Sequence, residues 1–324
     1  MKKIFVLLFV FLIFSCEPEI RNTHLVGSVF GTSYSVIYDS EIDYQKQFDS
    51  LFYVINRSMS TYQVNSDISK LNRNEATLID DHFIKVFEAS KEIHNATNGA
   101  FDPTIGAVVN AWDFGPEEKI ANLDSLKIDS LMVFVGFDKV ERVKNNISKP
   151  KGAFIDFNAI AKGYGVDVIA EFLENQKIEN FLVEIGGEIR VKGLNVDKGS
   201  PWKVGVEQPH FDGTRSLLKA IALKDASMAT SGTYRKFKVD EKGNRYAHII
   251  DTKTGYPSKT NLLSISVIAD NCMVADAYAT AFKAMGIEKV KTFLKIHSEL
   301  RVFLIFENDK KEFETLSLNG FPED

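Results

Sequence analysis

The first half of the chain shows two kinds of hydrophobic spacing. In residues 25–38, β-branched and aromatic residues flank Gly31, which predicts two strands that meet at that glycine. Apolar residues then recur every three or four positions in residues 42–59 and 80–97, which predicts two amphipathic helices. The second helix is expected to end at Asn98 and Gly99, a common helix C-terminal signal.

The second half contains more strand patterns, and glycine turns separate them as often as helices do. We predict a turn and short helix at 101–112, a short helix and a strand within 122–149, a buried strand at 154–157, a helix at 159–174, strands at 181–185, 188–192, 202–206, 217–223 and 262–268, helices at 274–285 and onward to 296, and a strand near 301–306. This order favours an α+β fold with largely antiparallel sheets and flanking helices over a doubly wound parallel sheet.

The composition is that of an ordinary globular protein, with 44% hydrophobic and 26% charged residues among 324. The formal net charge is −5, and acidic residues are interleaved with the basic ones. A broad basic surface is therefore excluded, and we expect no nucleic-acid partner.

The N-terminus has the features of an export signal. Lys2 and Lys3 precede an apolar stretch at 4–14, which is shorter than the roughly 20 residues that span a bilayer. Ser15 and Cys16 at its end resemble a bacterial lipobox. Either the protein is simply secreted, or Cys16 is lipidated. We favour lipidation because a polar tether follows directly.

These features divide the chain into a lipoprotein signal peptide at 1–15, a lipid-anchored tether at 16–23 and a folded domain at 24–324. Acyl chains on Cys16 would hold the protein to a membrane. The expected location is the bacterial cell envelope, with the domain facing the periplasm. Because Cys272 is the one other cysteine, no intrachain disulfide is expected.

Lys162 lies in a polar stretch that indicates chemistry. Together with Gly163 and Gly165 it follows Asp156 at the expected start of a helix, where free backbone N–H groups favour an anion. The glycine spacing fits neither a Walker A motif nor a dinucleotide fingerprint. Lys162 therefore either binds a phosphate or lies on a solvated face.

Asp276 and Thr280 are four residues apart in a predicted helix and so share one face. A carboxylate and a hydroxyl without His or Cys suit a hard cation such as Mg²⁺. The alternative is that Asp276 only caps or pairs locally.

Further polar segments are ambiguous when each is taken alone. Ser231 lacks the flanking glycines of a hydrolase nucleophile elbow, so a serine hydrolase is not favoured. His248, on a short apolar run, fits a structural histidine as well as a functional one. Gly186 and Gly187 form either a plain hairpin turn or a place where a flat ligand approaches the backbone.

Taken together and in order, these segments resemble the ApbE family, the FAD:protein FMN transferases. The matching segments are Gly31-Thr32 and the stretches 59–72, 101–106, 156–165, 185–188, 230–234, 248–255 and 275–280. They extend over nearly the whole predicted domain, and their shared order is far more specific than any one of them.

The resemblance implies an FAD cleft between two α+β lobes with T-fold-like sheets. It also implies Mg²⁺-dependent transfer of FMN from FAD to a Ser or Thr hydroxyl, with release of AMP. The acceptor would be an exported flavoprotein that carries a Ser/Thr flavinylation motif. The alternatives are an FAD pyrophosphatase, which gives FMN and AMP, and a flavin-binding lipoprotein without catalysis.

The resemblance also implies roles for single residues. Asp276, Thr280 and the backbone oxygen of Ala159 would hold the metal, and Lys162 would lie beside the pyrophosphate or ribose. His248 is the leading candidate for the general base; Asp251 is the second, either as the base or as the residue that orients His248. The residues expected to line the cofactor are Met59, Tyr62, Asp102, Lys162, Glu184, Gly187, Ser231, His248 and Thr254.

Two positions depart from the family pattern. Thr252 stands where the family usually has proline, and we expect this change to loosen a turn. Glu184 stands where a smaller polar residue is common.

Overall fold

The structure is a computed structural model that describes residues 22–234, 237–239 and 245–323. Its strands are β1 (Thr23–Val29), β2 (Thr32–Tyr38), β3 (Glu141–Val143), β4 (Asn146–Ser148), β5 (Phe181–Ile185), β6 (Glu188–Lys192), β7 (Leu194–Asn195), β8 (Ser200–Glu207), β9 (Leu217–Leu223), β10 (Ala226–Gly232), β11 (Phe237–Val239), β12 (Arg245–Ala247), β13 (Leu262–Ala269), β14 (Arg301–Glu307) and β15 (Phe313–Leu318). Its helices are α1 (Gln45–Met59), α2 (Asp67–Asn72), α3 (Asp81–Ala96), α4 (Gly106–Ala111), α5 (Ser125–Met132), α6 (Ala161–Asn175), α7 (Cys272–Met285) and α8 (Ile287–Leu294), with a 3₁₀-helix at Phe137–Lys139.

Within the described residues, the largest sheet has the strand order β1-β2-β5-β6-β10-β13-β14-β15, and its neighbouring strands are antiparallel. A smaller sheet joins β7, β8 and β9, and β3-β4 and β11-β12 form separate antiparallel pairs. The predicted mixture of helices with mostly antiparallel sheets is confirmed.

Two hairpins of the large sheet turn on residues with positive φ. Phe30 and Gly31 (φ 50° and 73°) join β1 to β2, and Gly186 and Gly187 (φ 65° and 105°) join β5 to β6. Two-residue turns with positive φ at both positions match the twist of antiparallel strands. Both hairpins lie where the glycine pattern placed them.

The large sheet is buried on both faces. In β14, Val302 and Leu304 pack into a core with α3 and α7, whereas Phe303 and Ile305 pack into a second core with Trp202 of β8. This alternation follows from the two-residue period of a strand. Helices α6 and α7 pack against each other and against β6, so they cover the same face of the sheet.

The predicted strand at 154–157 is wrong. The segment makes one isolated bridge, Phe154 to Ile105, and passes through a turn into α6. The Asn72 side chain donates to the Ile155 carbonyl oxygen and accepts from the Ile155 N–H, both at 2.8 Å. One amide side chain thus satisfies the backbone groups that a neighbouring strand would otherwise bind.

The sequence analysis missed β10. Ala, Ser, Thr and Gly dominate this strand, and they have little intrinsic preference for a sheet. It is nevertheless a central strand between β6 and β13, and α7 packs on it. The edge strand β15 was missed as well.

The predicted signal peptide and Cys16 lie outside the described residues. Among the described residues, no helix combines the length and the apolar character needed to cross a membrane.

Candidate active site

Residues from distant parts of the chain line a cavity of ≈ 1180 Å³. This volume exceeds the ~300–1,000 Å³ of typical small-molecule sites, so it suffices for a ligand as large as a dinucleotide. The predicted site residues in its wall are Met59, Tyr62, Asp102, Ala159, Lys162, Glu184, Gly187, Ser231, His248, Asp276 and Thr280.

Asp251 and Thr254 do not line this cavity. The Asp251 carboxylate accepts hydrogen bonds from the N–H groups of Lys253 (2.8 Å) and Thr254 (3.2 Å), which closes the turn after β12. Thr254 is exposed in that turn. Both residues therefore shape the loop that follows His248.

Asp276 reaches the cavity where α6 and α7 touch. The Gly163 N–H donates to Asp276 Oδ2 at 3.0 Å. A Cβ on Gly163 would lie 2.3 Å from the carbonyl oxygen of Cys272, which is closer than real Cβ contacts. Glycine is thus required here because the two helices approach at their backbones.

Asp167 fixes the start of α7 from the same side. Its carboxylate accepts the N–H groups of Cys272 (2.9 Å) and Met273 (2.8 Å) and pairs with Arg190 at 3.0 Å. These N–H groups belong to the first turn of α7, which has no intrahelical partners for them. Burial raises the pKa of Asp167, and the two N–H groups and Arg190 oppose that change.

The oxygen groups of Asp276 and Thr280 lie one helical turn apart on α7, and both residues line the cavity. Asp276 is 5% exposed, and burial raises its pKa against the opposing effect of Lys162. No three His, Cys, Asp or Glu side chains in the described part of the chain converge on a metal position. A metal here would therefore take its protein ligands mainly from hydroxyl or backbone oxygens beside Asp276.

Lys162 makes an ion pair inside the cavity. Its Nζ lies 2.5 Å from Oε1 of Glu188, which is 3% exposed. Burial alone would lower the pKa of Lys162, but Glu188 and Asp276 outweigh burial and raise it, so the ammonium stays charged. Burial raises the pKa of Glu188 to about 7, although Lys162 acts in the opposite direction.

The glycine turn between β5 and β6 forms another part of the wall. A Cβ built on Gly187 meets no described atom within 4 Å, so this backbone is open to a ligand. Glu184 Oε1 accepts the Gly187 N–H at 2.6 Å. The glutamate that departs from the family pattern therefore stabilises the turn itself.

Asp102 lines the cavity, but its carboxylate is engaged within the protein. Oδ1 accepts the N–H (2.8 Å) and the hydroxyl (2.6 Å) of Thr104, and Oδ2 accepts the Phe137 N–H at 3.1 Å. Asp102 thus shapes the loop before α4. At the C-terminal end of α1, Met59 is 3% exposed, whereas Tyr62 in the turn that follows is 60% exposed; both residues line the cavity.

Ser231 lies in β10 and His248 directly follows β12, two strands that the sequence analysis did not predict. Ser231 lies in β10 opposite Ile265 of β13. His248 follows β12, and its ring lies edge-to-face with Phe114 at 6.2 Å. The Thr252 hydroxyl donates to the Gly99 carbonyl oxygen, so it ties its turn to the loop after α3. This hydrogen bond acts against the loosening that the loss of proline led us to expect.

Glu188 is the residue that the sequence analysis missed in this site. It belongs to a segment that was singled out, but only the neighbouring glycine was assigned a role. On β6, Glu188 and Arg190 alternate with core residues and face α6, where they meet Lys162 and Asp167. The alternation of charged and apolar residues along β6 predicts a charged face of this strand, but it does not show which residues that face meets.

Comparison with known proteins identifies the family of this chain. The ApbE family model matches residues 30–304. The FAD:protein FMN transferase of Vibrio cholerae serotype O1 is 35% identical over 96% of this chain and 96% of its own length. The protein of the same name from Haemophilus influenzae is 36% identical, over 95% of this chain and 92% of its own.

Solved structures of flavin transferases have a similar fold. The flavin transferase ApbE from Vibrio cholerae superposes with a TM-score of 0.83 at 34% identity, covering 92% of this chain and 97% of that one. The apo form of the Pseudomonas stutzeri flavinyl transferase ApbE gives 0.81 at 26% identity, with 92% and 94% coverage. The fold is thus that of flavin-transferase-like α+β proteins. The chain belongs to the ApbE family.

Proposed function

We propose that this protein is an FAD:protein FMN transferase, which moves FMN from FAD onto a Ser or Thr hydroxyl of a partner flavoprotein and releases AMP. Relatives that carry this name align with the chain over almost its full length. The observation that carries the proposal is the convergence of Lys162, Asp276 and His248 on one cavity large enough for a dinucleotide.

FAD would bind in this cavity, which would be the cleft between two lobes. Met59, Tyr62 and the open backbone at Gly187 supply surfaces for its flat rings. The Lys162 ammonium would lie at the pyrophosphate, where a fixed positive charge favours the anion.

The residues present also fit a magnesium ion. The buried Asp276 carboxylate, the Thr280 hydroxyl and the backbone oxygen of Ala159 are hard oxygen donors at one cavity. Mg²⁺ commonly keeps water and substrate phosphate oxygens as its remaining ligands, so few protein ligands suffice. When bound, it would offset negative charge on the pyrophosphate.

The reaction is a phosphoryl transfer. The acceptor hydroxyl oxygen forms a bond to the FMN phosphorus, the bond from that phosphorus to the bridging oxygen breaks, and AMP leaves with that oxygen. His248 would take the hydroxyl proton. The Asp251 carboxylate closes the following turn, which favours a supporting role for it over that of the base.

Lipidation of Cys16 would place the domain on a membrane facing the periplasm, where exported acceptors are found. Mass spectrometry of the N-terminal peptide tests this part separately. A diacylglyceryl-modified Cys16 supports it, and an unmodified mature N-terminus overturns it.

The activity is tested by incubating the soluble domain with FAD and Mg²⁺, with and without a flavoprotein that has a Ser/Thr flavinylation motif. The proposal predicts that AMP release depends on the acceptor and equals the FMN attached to it. AMP and free FMN formed at the same rate without acceptor would indicate a pyrophosphatase. FAD bound and recovered unchanged would indicate a flavin carrier.

A further inference from the structure

We propose that Glu188 is a positioning residue that holds the Lys162 ammonium at the phosphate end of the cavity. The inference rests on the proposed function, because the role of Lys162 at a pyrophosphate comes from it. The contact itself is a property of the protein without substrate.

The first argument is the geometry of the pair. Lys162 Nζ and Glu188 Oε1 are 2.5 Å apart, and the Lys162 side chain remains 31% exposed while that of Glu188 is 4% exposed. A lysine side chain has four flexible carbons, so an unpaired ammonium samples many positions. A buried carboxylate on a strand restricts that ammonium to one part of the cavity wall.

The second argument is the way the chain fixes Glu188. It follows the β5-β6 turn, where Gly186 has φ +65° and a Cβ would lie 2.8 Å from Thr32 Cγ2 and 3.4 Å from Glu188 Oε2. The turn therefore leaves room for the glutamate beneath it. Two residues along β6, Arg190 pairs with Asp167 of α6 at 3.0 Å and holds the helix that carries Lys162 against the same strand.

The third argument is energetic. Glu188 Oε2 is buried and has no hydrogen-bond partner among the described residues. Together, Glu188, Asp276 and Lys162 place two carboxylates and one ammonium in a small volume. A buried, half-satisfied carboxylate lowers stability. Its presence is therefore better explained by its effect on Lys162 than by a contribution to folding.

The test is the Glu188→Gln variant, which keeps the size of the side chain and removes its charge. We expect kcat for FMN transfer to fall about tenfold or more, because the Lys162 ammonium remains but is no longer held at the phosphate. The KM for the acceptor is expected to change less than ~2-fold, since Glu188 is buried and acts through Lys162 in this proposal. The Tm is expected to equal or exceed that of the wild type.

A double-mutant cycle separates positioning from an independent effect. In the Lys162→Met background, Glu188→Gln is expected to change kcat by less than ~2-fold, since the residue through which Glu188 acts is gone. The same tenfold loss in both backgrounds would overturn the proposal. Glu174→Gln is the matched control: it removes a carboxylate that pairs with Arg190 at 3.2 Å and does not contact Lys162, and transfer should stay within ~2-fold of the wild type.

Thermal unfolding without substrate tests the contact independently of activity. Lys162→Met leaves two buried carboxylates unpaired, so adding Glu188→Gln is expected to raise its Tm by at least ~4 °C more than in the wild type. Equal shifts in both backgrounds would show that the pair does not form. If the wild type transfers no FMN, the proposed function fails while this cycle still reports the ion pair; if the pair forms but Glu188→Gln keeps full kcat, only the positioning role fails.

Discussion

The backbone N–H of Gly163 donates to the carboxylate of Asp276 at 3.0 Å, although 113 positions separate the two residues. This contact joins the first turn of α6 to α7, and it brings Lys162 and Asp276 to the same wall of the cavity. The candidate phosphate residue and the candidate metal ligand are thus positioned by one helix contact.

Gly163→Ala is expected to separate the two helices. The added Cβ would lie 2.3 Å from the Cys272 backbone oxygen, which cannot move without shifting α7. We expect a loss of about 2 kcal/mol or more in the free energy of unfolding, measured in urea, together with loss of FMN transfer. Gly165→Ala is the control on the same helix.

In Gly165→Ala the added Cβ would contact a side chain instead of backbone, since it would lie 2.6 Å from a carbon of the Phe30 ring. That ring can move more easily than a helix backbone. Both variants gain the same helix propensity of roughly 1 kcal/mol. Equal stability of the two variants would show that the α6-α7 contact is looser than described.

Asp167→Asn is expected to weaken the start of α7. The variant removes the buried charge that pairs with Arg190, leaves the partly exposed Glu174 as its partner, and weakens the acceptor for two backbone N–H groups. Breaking a buried pair from one side costs about 3–5 kcal/mol, which a denaturation curve resolves easily. A change below ~1 kcal/mol would mean that Asp167 is not required to cap the helix.

Lys283 is expected to make stability rise with pH. It is 1% exposed, and burial lowers its pKa to about 8 from the ordinary value of 10.5. Between these two values the folded protein binds fewer protons than the unfolded chain, so deprotonation favours folding as pH increases from about 8 to 10.5. Below pH 8 the full cost of burying the ammonium remains.

The measurement is the free energy of unfolding at pH 7 and pH 10 for the wild type and Lys283→Met. We expect the variant to be more stable at pH 7 by about 2–3 kcal/mol and to lack this part of the pH dependence. Lys289→Met, at an exposed position of α8, should change stability little. A wild type without any increase above pH 8 would contradict the description of Lys283.

His248→Ala is expected to reduce FMN transfer by about 10²–10⁴-fold while FAD affinity changes only a few-fold, as for loss of a general base. Single-turnover transfer and equilibrium FAD binding measure the two quantities. Asp251→Asn should cause a smaller loss through its turn. Unchanged turnover in His248→Ala would exclude it as the base.

The sequence predicted local structure well wherever a short pattern decides it. Gly31 and the Gly186-Gly187 pair located the two hairpins, and the spacing of Asp276 and Thr280 located a shared helix face at the cavity. These features depend on residues a few positions apart, so the sequence shows them directly.

The features that the sequence analysis missed depend on residues far apart in the chain. Asn72 replaces a strand partner for Ile155, 83 positions away, and α7 packs on the weak strand pattern of β10. The role of Glu188 becomes visible only when β6 meets α6. Such contacts leave no local periodicity, so propensity and pattern could not have identified them.

The most direct test of the account is the intact mass of an acceptor peptide after incubation with the soluble domain, FAD and Mg²⁺. We expect a mass increase equal to one FMN phosphoester on a Ser or Thr, and we expect it to be lost with EDTA or in Asp276→Ala. An unmodified peptide with the wild-type domain, or an FMN adduct that persists in Asp276→Ala, would contradict the proposed transfer or its metal site.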